Sequence, residues 1–207
     1  MNARSFALVV AAALAAVPSA ARAADKQPSP HPAPGARKPP PNPDTFVGGA
    51  RMPDRERQFV GIFADTARRY EAARTASQRT DFRISEELQV GQFMRQSQDA
   101  SGWLGVFKGT RSTPDGDVWF AVEIAPGLVL STQQNRYADE GVQTLIHRYS
   151  PMRKVLDHLQ VGDIVVFDAT MLSMDVSNND DMVLRPHLVV RFATIKPLEE
   201  PESAPPQ

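Results

Sequence analysis

The chain of 207 residues contains no cysteine. This absence excludes disulfides, thiol nucleophiles and metal sites built from cysteine. A folded domain must then be held together by its hydrophobic core, and roughly 100 residues are enough to build one. We therefore expect apolar burial, rather than covalent cross-links, to stabilise the folded part of the chain.

The sequence also lacks an excess of positive charge. Lys and Arg together number 23 and Asp and Glu number 24, which gives a formal net charge of −1. Loss of residues 1–23, with Arg4 and Arg22, would leave a charge of about −3. Dedicated nucleic-acid binders usually carry a basic excess, because neutralising phosphates supplies much of their affinity. The charge therefore disfavours nucleic acid as a partner, although it leaves this possibility open.

Motifs of catalytic and metal sites are missing as well. The four histidines follow no metal-ligand spacing, and the chain has neither a glycine-rich phosphate loop nor a Gly-x-Ser-x-Gly turn. We interpret Asp157-His158 as a helix end and residues 178–181 as a polar loop, because the latter lack the alternating ligands of a calcium loop. We predict no catalytic residue, no metal and no cofactor, and thus a protein that is not an enzyme.

Residues 1–23 are predicted to be a secretory signal peptide. Arg4 supplies the positive charge, residues 6–17 form an apolar run, and residues 21–23 (Ala-Arg-Ala) form a small-x-small cleavage site. The run of about 12 residues is shorter than the roughly 20 that span a bilayer. With cleavage near Ala23, we expect a periplasmic or secreted protein without a transmembrane segment.

Two segments are predicted to be disordered. Residues 24–53 contain nine prolines and few large apolar side chains. Such a segment cannot bury enough surface to offset the entropy of ordering it, so we interpret it as a linker. The short tail 198–207 is acidic and proline-containing, and we expect it to be disordered too.

Residues 54–100 are predicted to be helical. Apolar side chains recur there at helical spacing, and Asp54 is expected to cap the first turn. Thr80-Asp81 is interpreted as a break and the cap of a second helix. Eight arginines and no lysine lie between residues 51 and 83. They favour a solvated face with ion pairs along the helix; the alternative is a docking face for an acidic partner.

Residues 101–197 are predicted to contain five short strands, with one helix between the third and the fourth. Glycines and prolines mark the turns, and Ser150-Pro151 is typical of a helix start. The predicted strands are 102–109, 118–124, 128–132, 164–174 and 188–195, and residues 144–147 are strand-like. This order is typical of a small closed barrel.

Several residues in this order resemble those of OB-fold domains in poorly characterised exported bacterial proteins. The resemblance rests on Trp-x-Gly-Val at 103–106, on Ser150-Pro151 and on Leu-x-Val-Gly-Asp-x-Val-x-Phe at 159–167. Further support comes from the alternating segment 118–124 and from Val-x-Arg-Phe at 189–192. It implies an α+β, mainly β fold: a five-stranded OB-like barrel with the N-terminal helical segment packed on it. A resemblance of this kind implies a fold and no particular function.

A ligand surface is predicted on the second strand, because OB barrels bind across their second and third strands. Trp119 alternates away from the core-facing residues and can stack on a sugar or a base. The alternative is that the helix carrying Phe59, Phe63 and Tyr70 covers Trp119. The predicted binding residues are Trp119, Arg111, Arg136, Tyr137, Arg148 and Tyr149.

Three functions remain open from the sequence. The first is an exported, non-enzymatic binding or adaptor module that acts through protein contacts in the bacterial cell envelope. The signal peptide, the proline-rich linker and the absence of basic charge favour it. The second is a binder of single-stranded nucleic acid or oligosaccharide, and the third is a hydrolase or nuclease of the envelope.

Overall fold

The computed structural model describes residue 47 and residues 50–174 and 181–198; the side chains of residues 181 and 182 are not described. The predicted signal peptide at 1–23 lies outside these residues. So do most of the predicted linker and nearly all of the predicted tail. The fold below is therefore that of the helical segment and the barrel.

Two helices form a hairpin at the N-terminal side of the described chain: α1, Asp54–Ala72, and α2, Ala76–Gln96. The helical prediction is confirmed, but the predicted break at Thr80-Asp81 is wrong. The break lies at Thr75, whose hydroxyl accepts an N–H of the first turn of α2 at 3.2 Å. Thr80 instead donates its hydroxyl to a carbonyl one turn earlier, at 3.1 Å, and stays inside the helix.

The first turn of α1 holds the end of α2. The predicted cap by Asp54 is wrong, because Pro53 occupies the capping position and Asp54 is the first helical residue. Arg55 makes the important contact: its guanidinium donates to the carbonyl of Ser97 at 2.6 Å and lies 4.2 Å from the ring centre of Phe93. It thereby satisfies a carbonyl that the end of α2 leaves without a helical partner.

Intrahelical ion pairs run along the exposed face of α1. Asp65 contacts Arg69 at 2.8 Å and Arg68 at 3.4 Å, and Asp54 pairs with Arg57. Exposed pairs at this spacing contribute only about 0.3–0.5 kcal/mol each. They agree with the interpretation of the arginine-rich segment as a solvated face.

Five strands close into a barrel, as predicted. The strands are β1, Asp99–Ser112; β2, Val118–Ala125; β3, Leu128–Ser131; β4, Ile164–Met174; and β5, His187–Pro197. Strands β1 and β2 meet at a tight turn, β3 pairs parallel with β5, and the other neighbours pair antiparallel. Around the barrel the order is β1-β2-β3-β5-β4, with β4 pairing back to β1. The closed barrel is compatible with an OB-like fold, and helices and strands occupy similar proportions of the described residues.

Three short helices lie in the described parts of the connections, and two of them lie between β3 and β4, where only one was predicted. α3, Arg136–Asp139, and α4, Pro151–Leu156, lie between β3 and β4, and α5, Asp181–Leu184, lies between β4 and β5. α4 begins as predicted: the Ser150 hydroxyl accepts an N–H of the first turn at 3.3 Å, and proline occupies the first helical position. α4 packs against β5 and α5 against α1.

The hydrophobic core is continuous from the barrel into the hairpin. Phe59 of α1 lies 5.3 Å from Trp103 of β1 and 5.0 Å from Phe93 of α2, measured between ring centres. Trp103 is fully buried. Buried aromatic pairs at this distance contribute about 0.5–1.5 kcal/mol beyond their buried area. The hairpin therefore packs on the barrel through Trp103.

Glu56 is fully buried where α1 meets the barrel. β1 begins to pair with β2 only at Val106, and the Leu104 N–H donates to the Glu56 carboxyl group at 3.0 Å. The second carboxyl oxygen has no hydrogen-bond partner among the described residues. Burial raises the pKa of Glu56 to about 8, and the bond from Leu104 offsets only part of that rise. The group is therefore protonated at neutral pH.

Glu86 is a second fully buried acid, in the middle of α2. Neither of its carboxyl oxygens has a hydrogen-bond partner in the described part of the chain. Burial raises the pKa of Glu86 to about 8; the nearby Thr66 hydroxyl offsets part of the rise, and the charge of Glu87 adds to it. A carboxylate buried without a partner is strongly unfavourable, so the protonated form is the stable one.

We expect the free energy of unfolding to decrease as the pH rises from about 4.5 to about 8. Over this range the unfolded chain has lost the protons of Glu56 and Glu86 while the folded chain keeps them. Each group then contributes a slope of at most about −1.4 kcal/mol per pH unit. Glu86→Gln should remove about half of this slope, as measured by chemical denaturation at several pH values.

Asp81→Asn is the matched control for this experiment, because Asp81 is an exposed acid of the same helix and lies more than one turn from Glu86. It should leave the pH slope unchanged. A wild-type protein that is equally stable, or more stable, at the upper end of the pH range would contradict the protonated state of both buried acids.

Gly105 marks a close approach inside the barrel. A Cβ atom at this position would lie 3.1 Å from the Cβ of Val122 and 3.4 Å from the ring of Phe167. Gly105→Ala should therefore lower the free energy of unfolding by about 1–3 kcal/mol, because overpacking forces neighbours to move. Gly91→Ala in α2 is the control: only the end of the Arg95 side chain is near, at 3.5 Å, and stabilisation by up to about 1 kcal/mol is expected. Denaturation curves that show both variants to be destabilised, or both to be stabilised, would contradict this packing.

Candidate binding cleft

A cleft of about 730 Å³ opens at one end of the barrel. It lies between the β1–β2 turn and the connection that leads from β3 to α4. Both walls carry charged side chains. The lining residues are Asp115, Asp117, Arg136, Tyr137, Asp139, Glu140, Gly141, Gln143, His147 and Arg148.

The β1–β2 turn forms the first wall. The Thr113 N–H donates to the carbonyl of Asp117 at 2.7 Å, and Gly116 adopts a φ of 86° that closes the turn. The Asp117 carboxylate faces the second wall: it accepts the backbone N–H of Arg148 at 3.1 Å and lies 3.9 Å from Nε2 of His147. The two walls are therefore fixed to each other across the cleft.

The β3–α4 connection forms the second wall, and Asp139 organises it. One oxygen of the Asp139 carboxylate accepts the backbone N–H of Thr144 at 2.5 Å and its hydroxyl at 2.6 Å. The same carboxylate also accepts the N–H of Leu145 at 3.2 Å. These bonds replace a regular ladder, since only an isolated bridge between Val118 and Ile146 forms where residues 144–147 were predicted to be strand-like.

Strand β5 anchors the same connection from outside. Arg191 donates from Nε to the carbonyl of Gln143 at 3.1 Å and from its guanidinium end to the carbonyl of Val142. Gln143 itself has a φ of 53°, in the left-handed region that residues other than glycine and asparagine rarely adopt. The contacts of Arg191 hold the backbone in this conformation, so this wall of the cleft has a fixed structure.

Two arginines in the cleft have different partners. Nη1 of Arg136 lies 3.1 Å from the carboxylate of Asp115, and this pairing raises the pKa of the guanidinium group. Arg148 donates instead to the backbone carbonyl of Asp115, at 2.8 Å, and its guanidinium lies 5.0 Å from the ring centre of Tyr149.

Two tyrosines flank the cleft in an exposed position. Tyr137 is 88% exposed and Tyr149 is 78% exposed. The ring of Tyr149 also lies 5.3 Å from the ring of His147. Tyrosine is enriched at protein interfaces, so two exposed tyrosines beside one cleft make this surface a candidate for partner binding.

Three of the six predicted binding residues, Arg136, Tyr137 and Arg148, line the cleft. A fourth, Tyr149, lies against Arg148 beside it. The acids and His147 were missed, because Pro-Asp-Gly-Asp at 114–117 was interpreted only as a turn. The sequence did contain a signal for the acids at 115 and 117, since the loop between the first two strands flanks the usual binding surface of OB barrels. Turn-forming aspartates in that loop are therefore candidates for a binding site as well.

The other two predicted residues, Arg111 and Trp119, form a separate pair. They lie opposite each other on β1 and β2, with the Arg111 guanidinium 5.4 Å from the indole ring. Trp119 is half-buried, and its N–H has no hydrogen-bond partner in the described ranges. The tryptophan that lies against Phe59 is Trp103. A ligand-binding role for Trp119 stays a prediction.

One other pair has distances that suggest catalysis. Oγ of Ser131 lies 2.7 Å from Nε2 of His187. However, Ser131 is fully buried, and its hydroxyl donates to the carbonyl of Thr132 at 2.7 Å. A nucleophile needs both access to substrate and a base that takes its proton, so this pair links β3 to β5 structurally.

Comparisons add no relative from which a function could be inferred. No protein-family model, curated protein or solved structure matches this chain. Among the described residues there is no group of three or more metal-ligating side chains that could hold an ion. Within the same ranges, no helix has the length and apolar character needed to cross a membrane. Function must therefore be argued from the chemistry of the cleft.

Asp139→Ala should lower the free energy of unfolding by about 1–3 kcal/mol, because Thr144 and Leu145 lose their acceptor. Hydrogen exchange should also become faster at the amides of these two residues. Glu140→Ala is the matched control at the adjacent exposed position and should change stability by less than about 0.5 kcal/mol. Equal protection of both amides in the Asp139 variant and the wild type would contradict the role of this carboxylate.

Proposed function

We propose that this chain is an exported, non-enzymatic binding module that acts through protein contacts in the bacterial cell envelope. The barrel contacts its partner at the cleft. The observation that carries this proposal is the pair of exposed tyrosines, Tyr137 and Tyr149, beside Arg136 and Arg148. Tyrosine and arginine are enriched at protein interfaces and among the residues that dominate their binding energy.

The mixture of charges in the cleft favours a protein over a nucleic acid. Two arginines share the cleft with four acids, which are Asp115, Asp117, Asp139 and Glu140. A nucleic-acid backbone carries a negative charge at every phosphate and gains affinity from an excess of basic groups. Protein surfaces carry both signs and can match such a site group by group.

The rigidity of the cleft also favours a binding role. Asp117 links the two walls, while Asp139 and Arg191 fix the second wall from inside and outside. Preorganised loops bind more tightly, because less conformational entropy is lost when the partner binds. Tyrosine adds contact area at a low entropic cost for the same reason.

The proposed compartment rests on the sequence. The apolar N-terminal run with its small-x-small site supports export. The proline-rich composition of the segment that follows supports a role outside the folded core. The barrel fold is a scaffold that can carry either a binding site or a catalytic site, so the proposal rests on the cleft and not on the fold.

The test is capture of a partner from envelope extracts by the immobilised protein, followed by quantification of the same partner with variants. Tyr137→Ala combined with Tyr149→Ala should reduce capture at least tenfold, because the exposed aromatic anchors of an interface carry about 2 kcal/mol or more each. Ile84→Ala combined with Leu88→Ala is the control. These are exposed apolar residues of α2, which does not line the cleft, and the double variant should retain capture.

Two results would contradict the proposal. The first is a partner captured equally well by the tyrosine variant, or lost only with the α2 variant. The second is quenching of tryptophan fluorescence by single-stranded DNA or an oligosaccharide at micromolar protein, with no protein partner found. That result would favour the alternative function, with Arg111 and Trp119 as a stacking platform.

A further inference from the structure

Arg148 differs from Arg136 in the partner of its charge. Arg136 is paired with the carboxylate of Asp115. The hydrogen bond of the Arg148 guanidinium goes to a neutral backbone carbonyl, and within the described residues no carboxylate forms an ion pair with it. The guanidinium group of Arg136 is therefore engaged in an ion pair, whereas that of Arg148 is held by a neutral acceptor.

The orientation of Arg148 is fixed by three contacts. Nη1 donates to the Asp115 carbonyl at 2.8 Å, and the guanidinium lies on the ring of Tyr149. The side chain also crosses Gly116 so closely that a Cβ atom there would be 3.3 Å from its Cδ. A guanidinium held in this way keeps its remaining N–H groups available in a fixed geometry, at a low entropic cost for a ligand.

The surroundings select the class of anion. A guanidinium group binds carboxylates and phosphates through two parallel hydrogen bonds. The cleft, however, also holds the carboxylates of Asp117 and Glu140. Repulsion from these groups grows with the charge of the ligand, so a singly charged carboxylate is favoured over a doubly charged phosphate.

We propose that Arg148 is the anchor of the cleft and binds a carboxylate group of the partner protein. The carboxylate belongs to an Asp or Glu side chain or to a chain terminus. The ring of Tyr149 packs against the guanidinium group of Arg148. This inference rests on the proposed protein-binding function, whose partner it narrows to one that presents an acidic group. It also assigns different roles to the two arginines of the cleft.

The experiment is an NMR titration of the ¹⁵N-labelled full chain with short peptides. The probes are acetyl-Gly-Glu-Gly-amide, its Gln counterpart, and acetyl-Gly-Gly-Gly with a free terminal carboxylate, together with inorganic phosphate. The Glu peptide, the terminal carboxylate or both should shift the amides of residues 115–117 and 147–149. The Gln peptide should not shift them, and phosphate should bind at least tenfold more weakly than the better carboxylate probe.

Variants of arginines inside and outside the cleft provide the decisive comparison. Arg148→Gln should weaken carboxylate binding at least tenfold, and Arg148→Lys should also weaken it because lysine lacks the planar fork. Arg153→Gln is the control and should change it less than threefold, since Arg153 lies on α4 outside the cleft and is paired with Asp157 at 2.9 Å. Unchanged amide spectra outside the cleft show that each variant is folded. Equal binding of the Glu and Gln peptides, stronger binding of phosphate, or retention of binding in Arg148→Gln overturns the proposal.

The two proposals fail in different ways. Partner capture that depends on the tyrosines but survives Arg148→Gln would refute the carboxylate anchor and leave the proposed function intact. Carboxylate binding at Arg148 without any protein capture would refute the proposed function but would still support Arg148 as a carboxylate-binding residue.

Discussion

The hydrogen bond from the Leu104 N–H to Glu56 is the contact on which the arrangement of helices and barrel depends. Strand β1 pairs with β4 along its first half and with β2 along its second half. This division leaves the Leu104 N–H without a strand partner on one side. An acid at the start of α1 satisfies it, and the same turn of helix then places Phe59 against Trp103. The cost is a carboxyl group that must stay protonated.

The sequence was sufficient to predict the elements of the barrel, because their signals are local. Alternation of apolar residues marked β2, and Ser150-Pro151 marked α4. The position of the break between the helices was wrong, since Thr80 has the chemistry of a cap as much as Thr75 does. Local patterns also could not show that Phe59 lies against Trp103, because this contact joins residues that are far apart in the sequence.

The cleft was predictable in part. Arg136, Tyr137, Arg148 and Tyr149 were chosen as polar and aromatic residues near the predicted binding surface, and they do lie together. The facing acids came from a different loop. Their proximity arises because the end of β1 and the end of β3 meet at one end of a closed barrel. Spacing along the chain does not show that Asp117 accepts a hydrogen bond from residue 148.

The two buried acids also determine how the molecule moves in an electric field. A count over the sequence assigns a full negative charge to both Glu56 and Glu86 and gives a formal charge of −1. Because burial raises the pKa of each to about 8, the folded chain binds up to two more protons at neutral pH than the unfolded chain does. Its isoelectric point therefore lies above the value that its composition implies, and its electrophoretic mobility toward the anode increases when it unfolds.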